Sequence, residues 1–439
     1  MTKPGKTNPP RMAIYTLGCK VNQFESACLS EQFQVQGWET MPFKEKADLY
    51  IINTCAVTAE AQRQSAQMVR QAVRNHPESK VMAVGCAGQL FPDEFKKIPG
   101  LDYVIGHFNK LQIPDLIGSP EKSHQARTIL FPEATQPLEA HFPLPGEKTR
   151  AFLRIQDGCN ARCSYCLVPK ARGRSRSLSM DEVISGVGFL NSQGIKELVL
   201  TGIHLGQYGS DLSPAITLVS LLKRLLELHP HLYFRLSSLE PQEVILSLLY
   251  LFKKFPNLCP HLHIPLQAGD DSILQKMNRT YSVEFYRRLI QNVHQEIPHA
   301  AIGTDLIVGF PGEGEKQFQN TLSFISEIPL SYLHIFPFSP RPGTPAAGFP
   351  DQVPEKIKKE RIQRVRSMDR IKREEFIQQC LGKNFSALVL QPSKEKGWSK
   401  ALTENYLTVS IPGRFKKNDR IRVRLNSIDS TGLRGENIP

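Results

Sequence analysis

Short apolar runs alternate with longer amphipathic segments over residues 10–118. The runs predict four strands, Met12–Thr16, Tyr50–Asn53, Val81–Val84 and Tyr103–Ile105. The segments between them predict two helices, one capped by Asn22 and ending at Gly37, and one over Ala59–Asn75 that is stopped by Pro77. Alternation of strands and helices in this way indicates a parallel, doubly wound sheet.

Alternating strands and helices are predicted again after a linker. Roughly residues 118–148 are rich in Pro, Ser and Glu and show little periodicity. Six further strands are then predicted, Ala151–Gln156, Glu197–Leu200, Tyr233–Leu236, His261–Leu266, Ala301–Val308 and Tyr332–Phe336. Ser179 and Glu182 form a capping box before one of the intervening helices. Six strand–helix units are too few for a closed eight-stranded barrel, so we expect an open partial (β/α)6 barrel with its functional residues at the carboxyl ends of the strands.

The pattern changes again in the last part of the chain. A basic helix is predicted from about Glu355 to Gln379, followed by short β-rich runs such as Ser386–Leu390, Tyr406–Ser410 and Arg420–Leu425. Gly and Asn between such runs are typical of a small antiparallel barrel. The predicted fold is therefore α/β with three domains, over residues 10–118, 145–374 and 377–439.

Charge adds a candidate partner to this picture. The 439 residues carry a net charge of +13, and residues 351–439 hold 20 basic and 11 acidic residues. A basic surface at the C-terminal end suits a polyanion, with nucleic acid as the first candidate. The alternative from charge alone is an ordinary solvated surface.

The cysteine content and the apolar stretches indicate the cellular compartment. Nine cysteines are too few for a disulfide scaffold, and the N-terminus lacks the apolar core of a signal peptide. The best apolar stretch, Val244–Phe252, has about half the length that a membrane helix needs. We therefore expect a cytoplasmic protein without membrane segments, in which clustered thiols indicate metal binding or catalysis.

Three cysteines form such a cluster just after the first strand of the central block. Cys159, Cys163 and Cys166 have C-x3-C-x2-C spacing. Three thiolates on one short loop can ligate three irons of a 4Fe–4S cubane and leave the fourth iron open. Zinc is the rival, but structural zinc needs four closed ligands, and no His or Cys occurs in the next thirty residues. The spacing favours an iron–sulfur cluster.

A second set of cysteines is dispersed along the N-terminal block. Cys19, Cys55 and Cys86 each follow a predicted strand within a few residues. Because the carboxyl ends of parallel strands meet at one edge of a sheet, these thiols can converge and hold another cluster with an open iron. The alternative is three buried structural thiols, which is how we interpret Cys28, Cys259 and Cys380.

Local motifs around both sets resemble those of the radical S-adenosylmethionine (SAM) methylthiotransferase family. The aromatic Tyr165 within the C-x3-C-x2-C loop is the radical-SAM signature. The N-terminal motifs are Thr16-Leu-Gly-Cys-Lys-Val-Asn, Asn53-Thr-Cys-Ala-Val and Val84-Gly-Cys-Ala-Gly-Gln, and the later ones include Arg172-Gly-Arg-Ser-Arg-Ser, Pro265-Leu-Gln-Ala-Gly and Asp305-Leu-Ile-Val-Gly-Phe-Pro-Gly. The C-terminal piece resembles the TRAM domain, an RNA-binding β-barrel. The resemblance covers almost the whole chain.

This resemblance implies an enzyme with two 4Fe–4S clusters and SAM. The open iron at Cys159, Cys163 and Cys166 would chelate SAM, whose reductive cleavage gives a 5′-deoxyadenosyl radical. The cluster of Cys19, Cys55 and Cys86 would hold the sulfur that is methylated and transferred. No catalytic residue beyond the cluster ligands is assigned, and the strand ends offer loose candidates for SAM contacts, Tyr165, Thr201, Gly202, Gln267 and Gly309.

The motif Gly-Cys-Lys-Val-Asn at residues 18–22 is most similar to the branch of the family that methylthiolates C2 of N6-threonylcarbamoyladenosine at position 37 of tRNA. The implied partners are a tRNA substrate and a reductase or flavodoxin-type electron donor, with a monomeric enzyme and an RNA-binding tail that is separable from the clusters. Alternatives are a methylthiotransferase for isopentenyladenosine in tRNA, a radical-SAM enzyme of another substrate class, and a non-catalytic iron–sulfur or zinc RNA-binding protein.

Overall fold

The computed structural model describes residues 9–108, 110–116, 127–130, 137–144, 146, 149–393, 395 and 397–438. The chain forms two compact units. The first contains residues 1–144, 157–161 and 166–175, and the second contains residues 145–156, 162–165 and 176–439. Much of the predicted linker, and the predicted domain limits at 118, 145 and 439, lie outside the described residues.

The first unit is built on a parallel sheet, as the alternation of apolar runs predicts. The sheet has six strands where the runs predict four, and its edge strand Arg127–Ile129 lies within the predicted linker. Its strands lie in the order β2-β1-β3-β4-β5-β6. The bounds are β1 Arg11–Thr16, β2 Glu39–Thr40, β3 Leu49–Thr54, β4 Lys80–Gly85, β5 Tyr103–Ile105 and β6 Arg127–Ile129. Every residue of β3 and β4 is buried, because helices cover both faces of a parallel sheet. The carboxyl ends of β1, β3 and β4 therefore lie side by side.

Six helices lie in the described part of this unit. Their bounds are α1 Lys20–Val35, α2 Ala59–Asn75, α3 Cys86–Leu90, α4 Pro92–Lys96, α5 Ile113–Leu116 and α6 Val168–Arg172. The predicted bounds of α2 are confirmed, and the side chain of Thr58 caps it by accepting a hydrogen bond from the amide of Ala61. The prediction that Asn22 caps α1 is wrong. Cys19 occupies the cap position, and Asn22 lies buried inside the first turn.

The second unit begins with an open partial barrel of parallel strands. The strands form two three-stranded sheets, β11-β10-β7 and β12-β13-β14, and a single β-bridge between Phe234 and Leu258 continues from one to the other. The bounds are β7 Ala151–Arg154, β8 Gln156–Asp157, β9 Arg176–Ser177, β10 Glu197–Thr201, β11 Tyr233–Leu236, β12 His261–His263, β13 Ala301–Val308 and β14 Tyr332–Pro337. The predicted partial barrel is thus confirmed, although β12 ends three residues earlier than predicted.

Helices alternate with these strands. Their bounds are α7 Met180–Ser192, α8 Leu218–Leu228, α9 Leu246–Lys254, α10 Asp271–Lys276, α11 Val283–Glu296, α12 Glu315–Glu327 and α13 Glu355–Cys380. Short 3-10 turns occur at Lys110–Gln112, Leu205–Gln207, Pro241–Glu243 and Pro345–Gly348. The capping box of Ser179 and Glu182 is present at the start of α7. None of the helices in the described part of the chain has the length and hydropathy of a membrane span.

A closed five-stranded barrel completes the second unit. Its strands run in the order β15-β16-β17-β19-β18 around the barrel. The bounds are β15 Asn384–Pro392, β16 Trp398–Thr403, β17 Thr408–Pro412, β18 Arg420–Asp429 and β19 Gly432–Ile438. Ala301, the first residue of β13, belongs to the same apolar cluster as the interior of this barrel. The C-terminal barrel is therefore packed onto the amino ends of the central strands and shares a core with them.

Candidate functional site

The three N-terminal cysteines lie at the carboxyl edge of three adjacent strands. Cys19 follows β1, Cys55 directly follows β3 and Cys86 directly follows β4. Gly18 has a positive φ of 90°, and a Cβ atom there would lie 2.8 Å from the Sγ of Cys55. The loop that carries Cys19 therefore passes directly over the second thiol. All three cysteines are free thiols.

The electrostatics of these thiols suit a metal cluster. Burial, together with the neighbouring thiols of Cys86 and Cys19, raises the pKa of Cys55 to about 12. Burial also raises the pKa of Cys86, whereas the cations of Arg172 and Lys110 lower it. Thiols in such surroundings stay neutral unless a metal displaces their protons. Three of them at one edge, with two cations nearby, form a donor set that fits an anionic cubane with one open iron.

A buried ion network surrounds Arg172. Its Nη1 donates to Glu25 Oε1 at 3.1 Å and to Asp157 Oδ1 at 3.0 Å, and its Nη2 donates to Asn22 Oδ1 at 2.6 Å. Lys110 forms a further ion pair with Glu25. Burial opposes the charge of Glu25, but Arg172 and Lys110 outweigh it and lower the pKa of Glu25 to about 2. Buried charges of this kind hold their positions because each is paired.

Two side chains tie the cysteine loops together. Asn22 Nδ2 donates to the carbonyl oxygens of Leu17 at 2.8 Å and Thr54 at 3.1 Å, and so joins the loops of the first and second cysteines. Thr54 Oγ1 donates to the carbonyl of Val84 at 2.7 Å and accepts from the amide of Ala87 at 3.2 Å, which joins the loops of the second and third. The motifs contain both residues, but nothing in the pattern of spacing showed this role.

The C-x3-C-x2-C loop lies between β8 and α6, after the first strand of the central block, as predicted. Cys159, Cys163 and Cys166 are each partly exposed. The amide of Ala161 lies 3.4 Å from Cys159 Sγ, and the amide of Val168 lies 3.4 Å from Cys166 Sγ. Amide donors directed at sulfur stabilise thiolates, so these side chains fit the ligand set of an iron–sulfur cluster.

Arg279 contacts this loop, and the sequence analysis does not predict it. Its Nη1 lies 3.4 Å from Cys163 Sγ, although the two residues are 116 positions apart in the chain. Arg279 also forms an ion pair with Glu240, and its guanidinium lies 5.0 Å from the ring centre of Tyr281. The pKa of Arg279 is raised by these neighbours although burial opposes it, so its charge is permanent. No sequence motif marks it.

The predicted SAM-contact residues all lie at the carboxyl ends of the central strands, or on the cysteine loop in the case of Tyr165. The ring of Tyr165 packs edge-on against Phe310 with centroids 6.4 Å apart. Thr201 is buried, and its hydroxyl donates to the carbonyl of Leu153 at 3.3 Å. Gln267 has a positive φ of 68°, and its amide donates to the carbonyl of Asp305. These contacts fix the positions of the three residues.

The two glycines of this set are needed for packing. A Cβ atom on Gly202 would lie 2.7 Å from Gln156 Oε1. Gly309 has a positive φ of 76°, and a Cβ atom there would lie 2.4 Å from Lys358 Cγ. The amide of Gly309 donates to Glu313 Oε1 at 2.9 Å. A structural explanation therefore suffices for Gly309, and its role as a SAM contact stays a prediction.

The C-terminal barrel carries the exposed positive charge that composition predicts. Its exposed basic side chains include Arg414, Lys416, Lys417, Arg422 and Arg424. Part of the charge on α13 is structural. Lys358, Arg361 and Lys372 are buried and donate to the carbonyl oxygens of Phe338, Glu313 and Ser326.

The arrangement of thiol loop and strands agrees with known families. Residues 153–325 match the radical SAM superfamily, and residues 11–106 match a family described as Uncharacterized protein family UPF0004. The solved structure of the radical SAM methyltransferase TsrM from Kitasatospora setae has a TM-score of 0.54 to this chain at 14% identity, with 77% of each chain covered. The protein is a radical-SAM enzyme, and this class implies SAM and a 4Fe–4S cluster as cofactors.

Curated relatives narrow the class. The chain is 37% identical over 415 residues to threonylcarbamoyladenosine tRNA methylthiotransferase MtaB from Aquifex aeolicus. The matched region covers 94% of this chain and 99% of the relative. The chain is 35% identical to MtaB from Bacillus subtilis, with 92% and 90% covered. It is 30% identical to tRNA-2-methylthio-N(6)-dimethylallyladenosine synthase from Christiangramia forsetii, with 99% and 95% covered. The chain belongs to the family of radical-SAM tRNA methylthiotransferases.

Proposed function

We propose that this enzyme adds a methylthio group to C2 of N6-threonylcarbamoyladenosine at position 37 of tRNA. The similarity to MtaB proteins extends over nearly the full length of both chains, which supports the substrate. The observation that carries the chemistry is the convergence of Cys19, Cys55 and Cys86 at one sheet edge, apart from the C-x3-C-x2-C loop in sequence. Two sets of three thiols suit two clusters with two different tasks.

The thiols of the C-x3-C-x2-C loop have a role in radical formation. Cys159, Cys163 and Cys166 would hold a 4Fe–4S cluster, and Arg279 would offset negative charge at Cys163. Bound there with SAM, this cluster supplies the 5′-deoxyadenosyl radical that can break a strong, non-acidic C–H bond. Tyr165, Thr201, Gly202, Gln267 and Gly309 remain the proposed SAM contacts. An electron donor of the reductase or flavodoxin type would reduce the cluster.

The three thiols at the edge of the N-terminal sheet have a role in sulfur transfer. Cys19, Cys55 and Cys86 would hold a second 4Fe–4S cluster, whose open iron supplies the attachment point for the transferred sulfur. Arg172 and Lys110 would stabilise the negative charge of the thiolates. Asn22 and Thr54 would keep the three loops in register. In this assignment the protein orients both clusters and excludes water, while the cofactors do the bond breaking.

The C-terminal barrel would hold the tRNA. Its exposed Arg and Lys side chains suit contacts with phosphates, which supply most of the affinity for nucleic acid. We retain domains at residues 10–118, 145–374 and 377–439, a monomeric state and a cytoplasmic location as proposals that agree with this function.

Nucleoside mass spectrometry tests the substrate. In tRNA from cells that lack this protein, we expect threonylcarbamoyladenosine without its methylthio group. Normal methylthiolation of isopentenyladenosine in the same sample is the internal control. Loss of the methylthio group from isopentenyladenosine instead would contradict the proposal and support the other branch of the family.

Cysteine substitution separates the two clusters. Replacing Cys159, Cys163 and Cys166 by Ala should abolish 5′-deoxyadenosine formation, whereas replacing Cys19, Cys55 and Cys86 should leave it measurable and abolish methylthio transfer. The buried thiol Cys28 belongs to neither set, so Cys28→Ala is the matched control and should retain both activities. Methylthio product from the second triple variant would disprove the auxiliary cluster.

A further inference from the structure

Three neighbouring strands of the partial barrel carry a group of side chains that could ligate a metal ion, and the group includes none of the six cysteines assigned to the clusters. His263 ends β12, Asp305 lies within β13 and His334 lies within β14. One ligand atom from each of the three side chains lies within 4.8 Å of the other two. His263 Nε2 and His334 Nδ1 are each 3.2 Å from the same carboxylate oxygen, Asp305 Oδ1.

The strand register places these side chains on the inner face of the barrel. Thr304 Oγ1 lies 3.0 Å from the hydroxyl of Tyr286 on α11. The side of β13 that carries Thr304 therefore faces the outer layer of helices. Asp305 follows Thr304 and therefore faces the opposite side. Asp305 and His334 are directly paired in the ladder between β13 and β14. The three side chains thus share one face, away from α11.

Two of the three distances between the ligand atoms fit a tetrahedral metal site. A tetrahedral zinc site with bonds of about 2.0–2.1 Å separates neighbouring ligand atoms by about 3.3 Å. Both His-to-Asp distances of 3.2 Å agree with this value. Two histidines and one carboxylate with further positions open are the ligands of many mononuclear sites for divalent transition metals.

His263 provides an independent observation. It is 6% exposed, and its Nε2 has no hydrogen-bond partner of acceptable geometry among the described residues. Its other ring nitrogen, Nδ1, lies 2.9 Å from Ser238 Oγ. A hydrogen bond to the far nitrogen is what orients a histidine ligand and fixes its tautomer. The buried Nε2 is left directed at the carboxylate, where a metal would accept its lone pair.

We propose that His263, Asp305 and His334 bind one divalent transition-metal ion in the barrel interior, in addition to the iron–sulfur clusters. Zinc fits the His2Asp donor set and the tetrahedral spacing, and it needs no redox partner. Half of the His334 side chain is exposed, so an ion can enter from the open side of the barrel. The proposed metal site is independent of which tRNA the enzyme modifies.

Zinc loading of the reconstituted holoenzyme tests this site. One equivalent of zinc chloride is added, the protein is desalted against a competing chelator, and zinc is measured per chain by elemental mass spectrometry. We expect the wild type to retain one zinc. Asp305→Asn and His334→Ala should each weaken zinc affinity at least tenfold, and Ser238→Ala should weaken it about tenfold through loss of orientation.

Zinc-edge X-ray absorption identifies the ligands without interference from iron. The expected first shell contains nitrogen and oxygen at about 2.0–2.1 Å with imidazole scattering, whereas binding to the cluster cysteines would give sulfur at about 2.3 Å. His294→Ala, on the last turn of α11, is the matched histidine control and should bind zinc like the wild type. A sulfur shell, equal affinity in all variants, or no zinc retained by the wild type would overturn the proposal.

Discussion

Gly18 allows the loop of Cys19 to approach Cys55 closely. Its φ of 90° lies in the left-handed region, and an added Cβ atom would lie 2.8 Å from Cys55 Sγ and 3.0 Å from Cys55 Cβ. A methyl group at this position must displace the second thiol or the loop of the first. In the proposed auxiliary site, either shift moves a ligand by more than a cluster tolerates.

We therefore expect Gly18→Ala to prevent assembly of the auxiliary cluster alone. Iron and sulfide analysis after reconstitution should fall from about eight to about four irons per chain, since one of two cubanes is lost. Formation of 5′-deoxyadenosine should persist. Gly37→Ala is the matched control, because Gly37 has a similar φ of 85° but open space around it. Full iron content in Gly18→Ala would contradict the proposed position of the auxiliary cluster.

The sequence predicts the six proposed ligand cysteines because each lies in a short local motif. It does not predict Arg279, which reaches Cys163 across 116 residues. Arg172 stands in a recognised motif, but its pairing with Glu25, which is 147 residues away in the chain, becomes visible only in the folded protein. Long-range partners of this kind leave no periodic signal in the chain.

At the scale of elements, strands with continuous apolar runs are predicted within a few residues. The bounds of β5, Tyr103–Ile105, agree with the prediction, because all three of its residues are apolar and buried. The bounds of β11 and β13 also agree with the prediction, although polar residues interrupt both runs. Two strands of the C-terminal barrel, β16 and β19, have no clear β pattern in the sequence. In the sequences Trp398-Ser-Lys-Ala-Leu-Thr and Gly432-Leu-Arg-Gly-Glu-Asn-Ile, polar residues and Gly interrupt the pattern. These strands are defined by barrel closure, which depends on the partners β15, β17 and β18.

The C-terminal barrel is joined to the central strands through a buried polar and aromatic contact. Arg235 on β11 donates to the carbonyl of Glu404 at 2.9 Å and forms an ion pair with Glu197 at 2.9 Å. The ring of Tyr406 stacks on His261 with centroids 4.2 Å apart and lies 5.1 Å from the Arg235 guanidinium. The loop between β16 and β17 therefore closes the amino-terminal end of the partial barrel.

Tyr406→Ala should loosen this junction. We expect the free energy of unfolding to fall by about 1–3 kcal/mol, because an aromatic stack and a cation–π contact are lost. Denaturant unfolding of the variant measures it. Tyr250→Ala, which removes a ring that is 58% exposed, is the matched control and should cost about 0.5 kcal/mol or less. Equal effects of the two variants would show that the junction contributes nothing specific.

At the scale of the whole molecule, this junction changes an expectation from the sequence. A tail that is separable from the clusters could be deleted without harm to SAM cleavage. Because the barrel shares its core with Ala301 and covers Arg235 and His261, its deletion would expose buried charge and apolar surface in the central strands. Truncation therefore cannot distinguish loss of RNA binding from loss of folding, and the RNA-binding role must be tested on the surface of the intact chain.

Four exposed basic residues of the C-terminal barrel offer that test. We expect the combined replacement of Arg414, Lys416, Arg422 and Arg424 by Gln to weaken tRNA binding, because each lost phosphate contact removes a released counterion. The slope of log affinity against log salt concentration should become less steep by up to about 3–4. The loss of affinity should be similar for different tRNAs, since phosphate contacts do not read sequence. Titration of tRNA at several salt concentrations measures both quantities.

The control has the same change in net charge at another surface of the same unit. Lys223, Arg224, Lys253 and Lys254 on α8 and α9 are also exposed, and their replacement by Gln should leave both affinity and slope nearly unchanged. Cleavage of SAM without tRNA should be normal in both quadruple variants, because neither set lies near the cysteine loops in the chain or replaces a buried side chain. Equal losses in the two variants would mean that overall charge, rather than the C-terminal barrel, attracts the tRNA. An unchanged slope in the barrel variant would show that phosphates contact a different part of the protein.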